Sequence, residues 1–164
     1  VLIGRTFGDL VINASSLIVM MITGFVIGWR IDSSLPEAAL AVLLLLFFSY
    51  AFSWVMALIG MSVRSPEIIN NVSFLVLFPM TFLSNAFVPA ETLPGPLRVF
   101  AEWNPVSALI QATRELFGNI PVGIPTGDSW LQQNPITTVF IALVLMLVVF
   151  VPLSIRKFKS ISSR

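Results

Sequence analysis

The sequence predicts an all-α integral membrane protein with four transmembrane helices and an outer, re-entrant amphipathic helical hairpin. Three observations lead there. Charge is scarce: 10% of the 164 residues are charged and 57% are apolar, against about 25% charged in a soluble domain, and the mean hydropathy is +0.95. Four apolar runs carry no Asp, Glu, Lys or Arg: Leu10 to Trp29, Ala38 to Gly60, Ile68 to Val88 and Ile136 to Leu153. As helices they would be roughly 27–34 Å long, enough to cross a hydrocarbon core. Between the third and fourth runs lies a charged, proline-broken stretch, residues 89–118, with helical periodicity but too little length to span. The whole chain, 1–164, reads as one membrane domain.

Each element has its own start signal. Ser34-Leu35-Pro36-Glu37 has the form of a capping box ahead of the second run. Ser65-Pro66, Asn104-Pro105 and Asn134-Pro135 each place a capping side chain before a proline at the first helical position. Within the insert, Val106, Leu109, Ile110, Leu116 and Phe117 recur at helical spacing, and Gly118 is placed to close that helix. The preceding piece, Gly95 to Trp103, sets Leu97, Phe100 and Trp103 on one side and spaces Arg98 and Glu102 as an i,i+4 pair. Two arrangements satisfy this pattern. One is a hairpin re-entering against the spans, where protein or water covers its backbone. The other is an amphipathic pair lying on the outer leaflet as an anchor.

Charge distribution sets the orientation. Arg156, Lys157, Lys159 and Arg164 follow the last span; with Arg5 and Arg64 they put six basic residues on one side, against Arg30, Arg98 and Arg114 on the other. The positive-inside rule makes the six-residue side cytoplasmic, so the C-terminus is inside and the chain is multi-pass in the cell membrane. The chain opens without Met and runs straight into a span, which suggests a fragment. Cysteine and histidine are absent, removing disulfides, thiol nucleophiles, His-based triads and Cys- or His-type metal sites. No Asp, Glu, Lys, Arg, His or Cys lies within the apolar runs, against a membrane-embedded enzyme. An ion-coupled transporter or a channel remains as a rival class, with Pro79 as a central helix break. The Asn-x-Ser matches at Asn13 and Asn71 fall within or at the edge of spans, where glycosylation is not expected.

The segment "SPEIINNVSFLVLFPMTFLSNAFVPAETLPGPLRVFAEWNPVSALIQATRELFGN", Ser65 to Asn119, resembles the hallmark region of ABC type-2 exporter permeases, most of all the daunorubicin-resistance, multidrug-type branch. The likeness rests on Ser65-Pro66-Glu67, Phe87-Val88-Pro89 with Leu93-Pro94, Glu102-Trp103-Asn104-Pro105 and Arg114. The opening "GRTFGDL" and Gly28-Trp29-Arg30 add to it. The resemblance implies the last four spans of a six-span permease, working as a homo- or heterodimer of permease halves. An ABC ATP-binding subunit would power export of hydrophobic or amphiphilic compounds by alternating access. A glycan or lipid-linked polysaccharide exporter is the alternative within the family. The chain has no G-x-x-x-x-G-K-[ST] loop, so this chain binds no cofactor; ATP and Mg²⁺ belong to the partner. Membrane lipid and an amphiphilic cargo complete the expected partners, with no nucleic acid.

The site expectations follow from faces and ends. Asn70, Phe74, Phe78, Thr81 and Asn85 share one face of the third span, aromatic in the middle with amides at both ends, and are the cavity or substrate-path candidates; interhelical packing is the competing role. Glu102, Asn104 and Arg114 are the outer-gate candidates. Arg5 and Asp9 near the coupling region, with Arg64 and Glu67 at the inner turn, are the coupling-side candidates. Glu67 also suits a helix first turn on electrostatic grounds alone. Two small-residue stripes, Gly24/Gly28 and Ser49/Ser53/Ala57, read as helix–helix packing surfaces.

Overall fold

The computed structural model describes residues 2–63, 65–84, 86–120 and 128–162. Among them the chain is all helical: α1 (Leu2–Ile27), α2 (Leu35–Ser62), α3 (Pro66–Phe82), α4 (Gly95–Trp103), α5 (Pro105–Phe117), α6 (Trp130–Gln133) and α7 (Pro135–Ser162), with a 3₁₀ turn at Ala90–Thr92. Three stretches, Phe7–Ile27, Leu35–Ser62 and Pro135–Ile161, are long and apolar enough to cross a membrane.

The expected third span stops early. α3 is a helix of 17 residues, about 26 Å at the helical rise, and the chain turns at Leu83 instead of running on to Val88. Apolarity does not set this end; local hydrogen bonds do. The fully buried Ser84 donates its hydroxyl to the Thr81 carbonyl at 2.5 Å, and its backbone N–H goes to the same carbonyl at 3.2 Å. Its carbonyl then accepts from Phe87 and Val88. A serine that satisfies backbone groups locally competes with helix continuation. α7 does the reverse, running helically to Ser162 and carrying Arg156, Lys157 and Lys159 on its last turns.

α2 is the hub. It packs against α1, α3, α5 and α7, which is why it is apolar on every side. Its buried face runs through Ala38, Ala41, Leu44, Phe48, Ala51 and Trp54. Opposite lie Ala108, Leu109, Ala112, Leu116 and Phe117 of α5, and Val139 and Leu143 of α7. Alanines at the closest points let the backbones approach, as packing between helices in lipid requires. At the far end of the α2–α7 seam, Ser154 donates to the Trp54 carbonyl at 3.1 Å. Ala112 is fully buried in the α2–α5–α7 core. Ala112→Leu is expected to overpack it, costing about 1–3 kcal/mol, read as a lower thermal midpoint in detergent while an exposed-site control such as Val99→Leu leaves it unchanged.

α5 is therefore core and not a surface anchor, whereas α4 leaves Leu97, Val99, Phe100 and Trp103 exposed. α5 buries a whole face between α2 and α7, and its C-terminal end is stitched to the α1–α2 connection. Both α1 and α5 end in the same way. Gly28 (φ +112°) closes α1, with Trp29 N–H reaching back to Gly24 O at 2.9 Å; Gly118 (φ +73°) closes α5, with Asn119 N–H reaching back to Arg114 O at 2.9 Å. In each case the residue after the glycine returns to the last turn, the Schellman arrangement. The two residues so placed meet: Trp29 Nε1 donates to Asn119 Oδ1 at 2.7 Å, and Asn119 Nδ2 donates to Arg30 O at 3.0 Å. Asp32 N–H to Phe117 O (3.0 Å) and Ser33 Oγ to Leu116 O (2.5 Å) extend the seam, and the Trp29 ring meets Phe117 edge-on.

This geometry corrects the reading of Gly24 and Gly28. Gly28 supplies a left-handed helix end, and Gly24 seats the Trp29 ring, whose Cε3 lies 3.4 Å from where a Cβ would stand. Among the described residues no other helix comes within 4 Å of where a Cβ at either glycine would stand. Among the cap signatures, Ser65 accepts from Ile68 N–H and Ser34 N–H donates to Glu37 Oε2 at 3.0 Å, as the sequence predicts. Asn134 differs: its side chain donates backward to Trp130 O at 3.1 Å, closing α6.

Candidate functional site

α1 and α3 both lean on α2, and a cleft of about 840 Å³ opens between them. α2 supplies its floor, from Leu45 and Phe48 through Ser49, Phe52, Ser53, Met56 and Ala57 to Gly60 and Met61. α1 gives Asp9, Ile12 and Asn13; α3 gives Ile69, Leu77, Met80 and Thr81. Val106, at the start of α5, bounds the end nearest the hairpin, and Phe158 of α7 the opposite end. The lining is chiefly aromatic, aliphatic and thioether, with the Phe48 and Phe52 rings stacked at 6.2 Å and 10°. Pockets of this size with a few polar groups in an apolar wall are the usual form of small-molecule sites.

The Ser49/Ser53/Ala57 stripe thus lines the cleft, not a helix–helix seam. Small residues there keep the floor open. The seam of α2 instead follows the alanines and Trp54, a quarter-turn or more around the helix, and an all-apolar helix gives periodicity no means of choosing between the two faces.

Of the described third-span candidates, Thr81 alone borders the cleft. Asn70 is exposed and lies off its lining. Phe74 and Phe78 also face away, stacked at 5.2 Å; Phe82 and Phe87 continue the ladder at 5.3 and 6.0 Å. All four rings are exposed. The cleft-facing residues of α3, Ile69, Leu77 and Met80, sit one position from that stripe, a rotation of about 100°. Asn85 and Arg64 lie outside the described residues, as does the side chain of Arg5, which stands on the first turns of α1. Asp9 is half-buried on the cleft wall, and Glu67 is exposed in the first turn of α3.

The hairpin candidates fall into two groups. Asn104 is 3% exposed and uses both ends of its amide: Oδ1 accepts from Val106 N–H at 3.0 Å, capping α5, and Nδ2 donates to Met80 O at 2.6 Å. That carbonyl is free to accept because the N–H of Ser84 turns to Thr81 instead. One side chain therefore joins the start of α5 to the broken end of α3. Glu102 binds Arg98 Nε at 2.8 Å, and Asp128 approaches the same guanidinium at 3.9 Å. The Glu102 hydrogen bond and charge hold the Arg98 pKa above its ordinary value. Arg114 is half-buried on α5, and its carbonyl receives Asn119. Burial raises the pKa of its neighbour Glu115. Sequence reasoning missed Trp29, Ser33 and Asn119, whose contacts join stretches of chain about 85 residues apart and leave no periodic signal.

Among the described residues no group of three or more His, Cys, Asp or Glu could hold a metal ion. A family model described as ABC-2 type transporter matches residues 1–118. The chain belongs to the ABC-2 type transporter family. It is also similar to the daunorubicin resistance ABC transporter permease protein DrrB1 of Streptomyces coeruleorubidus, 34% identical over 115 residues, which cover 70% of this chain and 41% of the relative. The chain thus spans about two fifths of the length of the curated relative it matches. No solved structure matches it. The family match takes in every cleft residue except Phe158.

Proposed function

We propose that the chain is the membrane part of a permease subunit in an ATP-driven ABC exporter that moves amphiphilic compounds out of the cell. The observation that carries this reading is the family match across the cleft, joined to the likeness to a drug-resistance permease. α1, α2, α3 and α7 act as four spans, α3 crossing with the help of the turn that follows it, and the basic end of α7 lies in the cytoplasm. ATP and Mg²⁺ are bound by a separate ATP-binding subunit, and a second permease half faces this one.

In this reading cargo travels along the cleft and the α4–α5 hairpin gates its outer end. α5 is fixed to α2, α7 and the α1–α2 connection, so it behaves as part of a rigid body. Among the described residues α3 packs chiefly on α2 and is tied to the hairpin through Asn104. Alternating access then takes the form of α3 swinging against that body, with the Asn104–Met80 bond as its outer pivot. The exposed Phe74–Phe78 face gives α3 a second aromatic surface toward the other permease half. Arg5, on the first turns of α1, and Glu67, in the first turn of α3, stand at the end where an ATP-binding subunit would push.

The test is made on the full permease co-expressed with the ATP-binding subunit encoded beside it. The two are expected to purify together, with vanadate-sensitive ATP hydrolysis stimulated by a hydrophobic amphiphile. A well-folded permease that brings down no ATPase would overturn the exporter reading.

A further inference from the structure

Among the described residues the cleft carries one acidic side chain, and its position is specific. Asp9 lies on the α1 wall with Asn13 one helical turn further in, both facing the cleft. Asp9 has no ion-pair or hydrogen-bond partner among the described residues. Asn13, Ser49 and Thr81 also line the cleft without a side-chain hydrogen bond among those residues, whereas Ser53 is satisfied by Tyr50 O at 2.7 Å. A half-buried carboxylate near the start of α1, with three polar side chains that have no side-chain hydrogen bond among the described residues, gives this chiefly apolar wall groups that a bound ligand can satisfy. Deeper in, the cleft offers the stacked faces of Phe48 and Phe52 and the adaptable thioethers of Met56, Met61 and Met80.

We infer that this cleft selects amphiphilic cations, with Asp9 pairing with the ligand's positive group while its ring system lies against Phe52 and the methionines. The inference rests on the reading of the cleft as the cargo path. Its chemistry is complementary at both ends. A carboxylate next to apolar surface attracts an ammonium more strongly than in water, because the surrounding dielectric is low. Aromatic faces add attraction for the same charge, and methionines conform to varied ring shapes. Anionic amphiphiles are disfavoured by the same carboxylate, and neutral ones gain only the apolar contact. Asp9 is thereby a specificity residue at the ligand, distinct from the coupling role its place near the α1 start suggests in sequence.

The experiment uses the full permease with its ATP-binding subunit in nanodiscs of zwitterionic lipid, with empty nanodiscs subtracted. Two fluorescent probes share one ring and differ in charge: dansylcadaverine, a primary ammonium, and its neutral N-acetyl derivative. Binding is followed by dansyl emission without nucleotide. Asp9→Asn is expected to weaken the cation about tenfold, the scale of one charge-assisted contact, and to leave the neutral probe unchanged; Asp9→Glu retains cation binding. Equal effects on both probes, or none on either, would overturn the selectivity of Asp9. Ala57→Phe, which fills the cleft floor, separates this from failure of the path itself. If that variant binds both probes as before, the cleft is not the cargo site and the inference goes with it. If it excludes both while Asp9→Asn changes nothing, the path stands and the charge selection does not.

Discussion

Gly118→Ala is expected to detach the α5 end from the α1–α2 connection. Two costs combine at this position. The backbone sits at φ +73°, a left-handed conformation that costs a non-glycine L-residue about 1–2 kcal/mol. A Cβ would also stand 2.8 Å from the Asp32 carbonyl carbon and 2.9 Å from its oxygen. Those are backbone atoms, so no side-chain rotation relieves the contact and the connection itself must move. Moving it strains the Asp32–Phe117 and Ser33–Leu116 hydrogen bonds, each worth about 1 kcal/mol. The sum is a loss of about 2–4 kcal/mol, dominated by a named backbone cause. Thermal unfolding of the purified permease measures it. Gly118→Asn divides the two costs, because asparagine tolerates the left-handed region but keeps a Cβ. If Asn restores wild-type stability, the close approach of Asp32 is not what requires glycine here.

Asn104→Ala should be comparably damaging, for a different reason. It removes the cap of α5 and leaves the Val106 N–H and the Met80 carbonyl unpartnered in a buried place. Losing an N-cap costs about 0.5–2 kcal/mol, and stranding a buried acceptor about 1–3 kcal/mol, so about 1.5–5 kcal/mol is expected together. Asn104→Asp keeps an oxygen for Val106 N–H and loses the donor to Met80. It is expected to recover the cap alone, and to leave α3 free of the hairpin. The separation is visible in a cysteine placed at Phe82: its labelling rate should rise in both variants, while helix stability falls mainly in the alanine one. Unchanged labelling in Asn104→Asp would mean that the α3 end is held by packing and that Asn104 is no pivot.

Both residues were legible in the sequence only in part. Gly118 and Asn104 were identifiable as a helix stop and a helix start, because caps are local and announce themselves by residue type. That Gly118 also makes room for Asp32, and that Asn104 spends its second amide group on Met80, depends on segments far away along the chain. The third span illustrates the limit from the other side. A window of apolar residues ran on to Val88, but Ser84 redirected the backbone hydrogen bonds and ended the helix at Phe82. Hydropathy measures what a stretch prefers as solvent; it is silent on where its backbone groups find partners.

By itself the sequence determined the membrane class, the helical fold, the family and the ends of most helices. Each of these depends on composition, on a run of neighbours or on a local motif: an uncharged stretch long enough for a bilayer, a Ser-Pro or Asn-Pro start, a glycine stop. Only the tertiary structure decided which face of each helix meets which neighbour. It moved Ser49, Ser53 and Ala57 from a packing seam to a cleft, turned Phe74 and Phe78 away from it, and set Asp9 on its wall. It also chose the core over the outer leaflet for α5. The physical reason is that in a membrane both the lipid and the neighbouring helices are apolar. Hydrophobic periodicity, which points to the core of a soluble protein, has no direction to report on a helix such as α2, and the choice of face passes to close packing and a few interhelical hydrogen bonds.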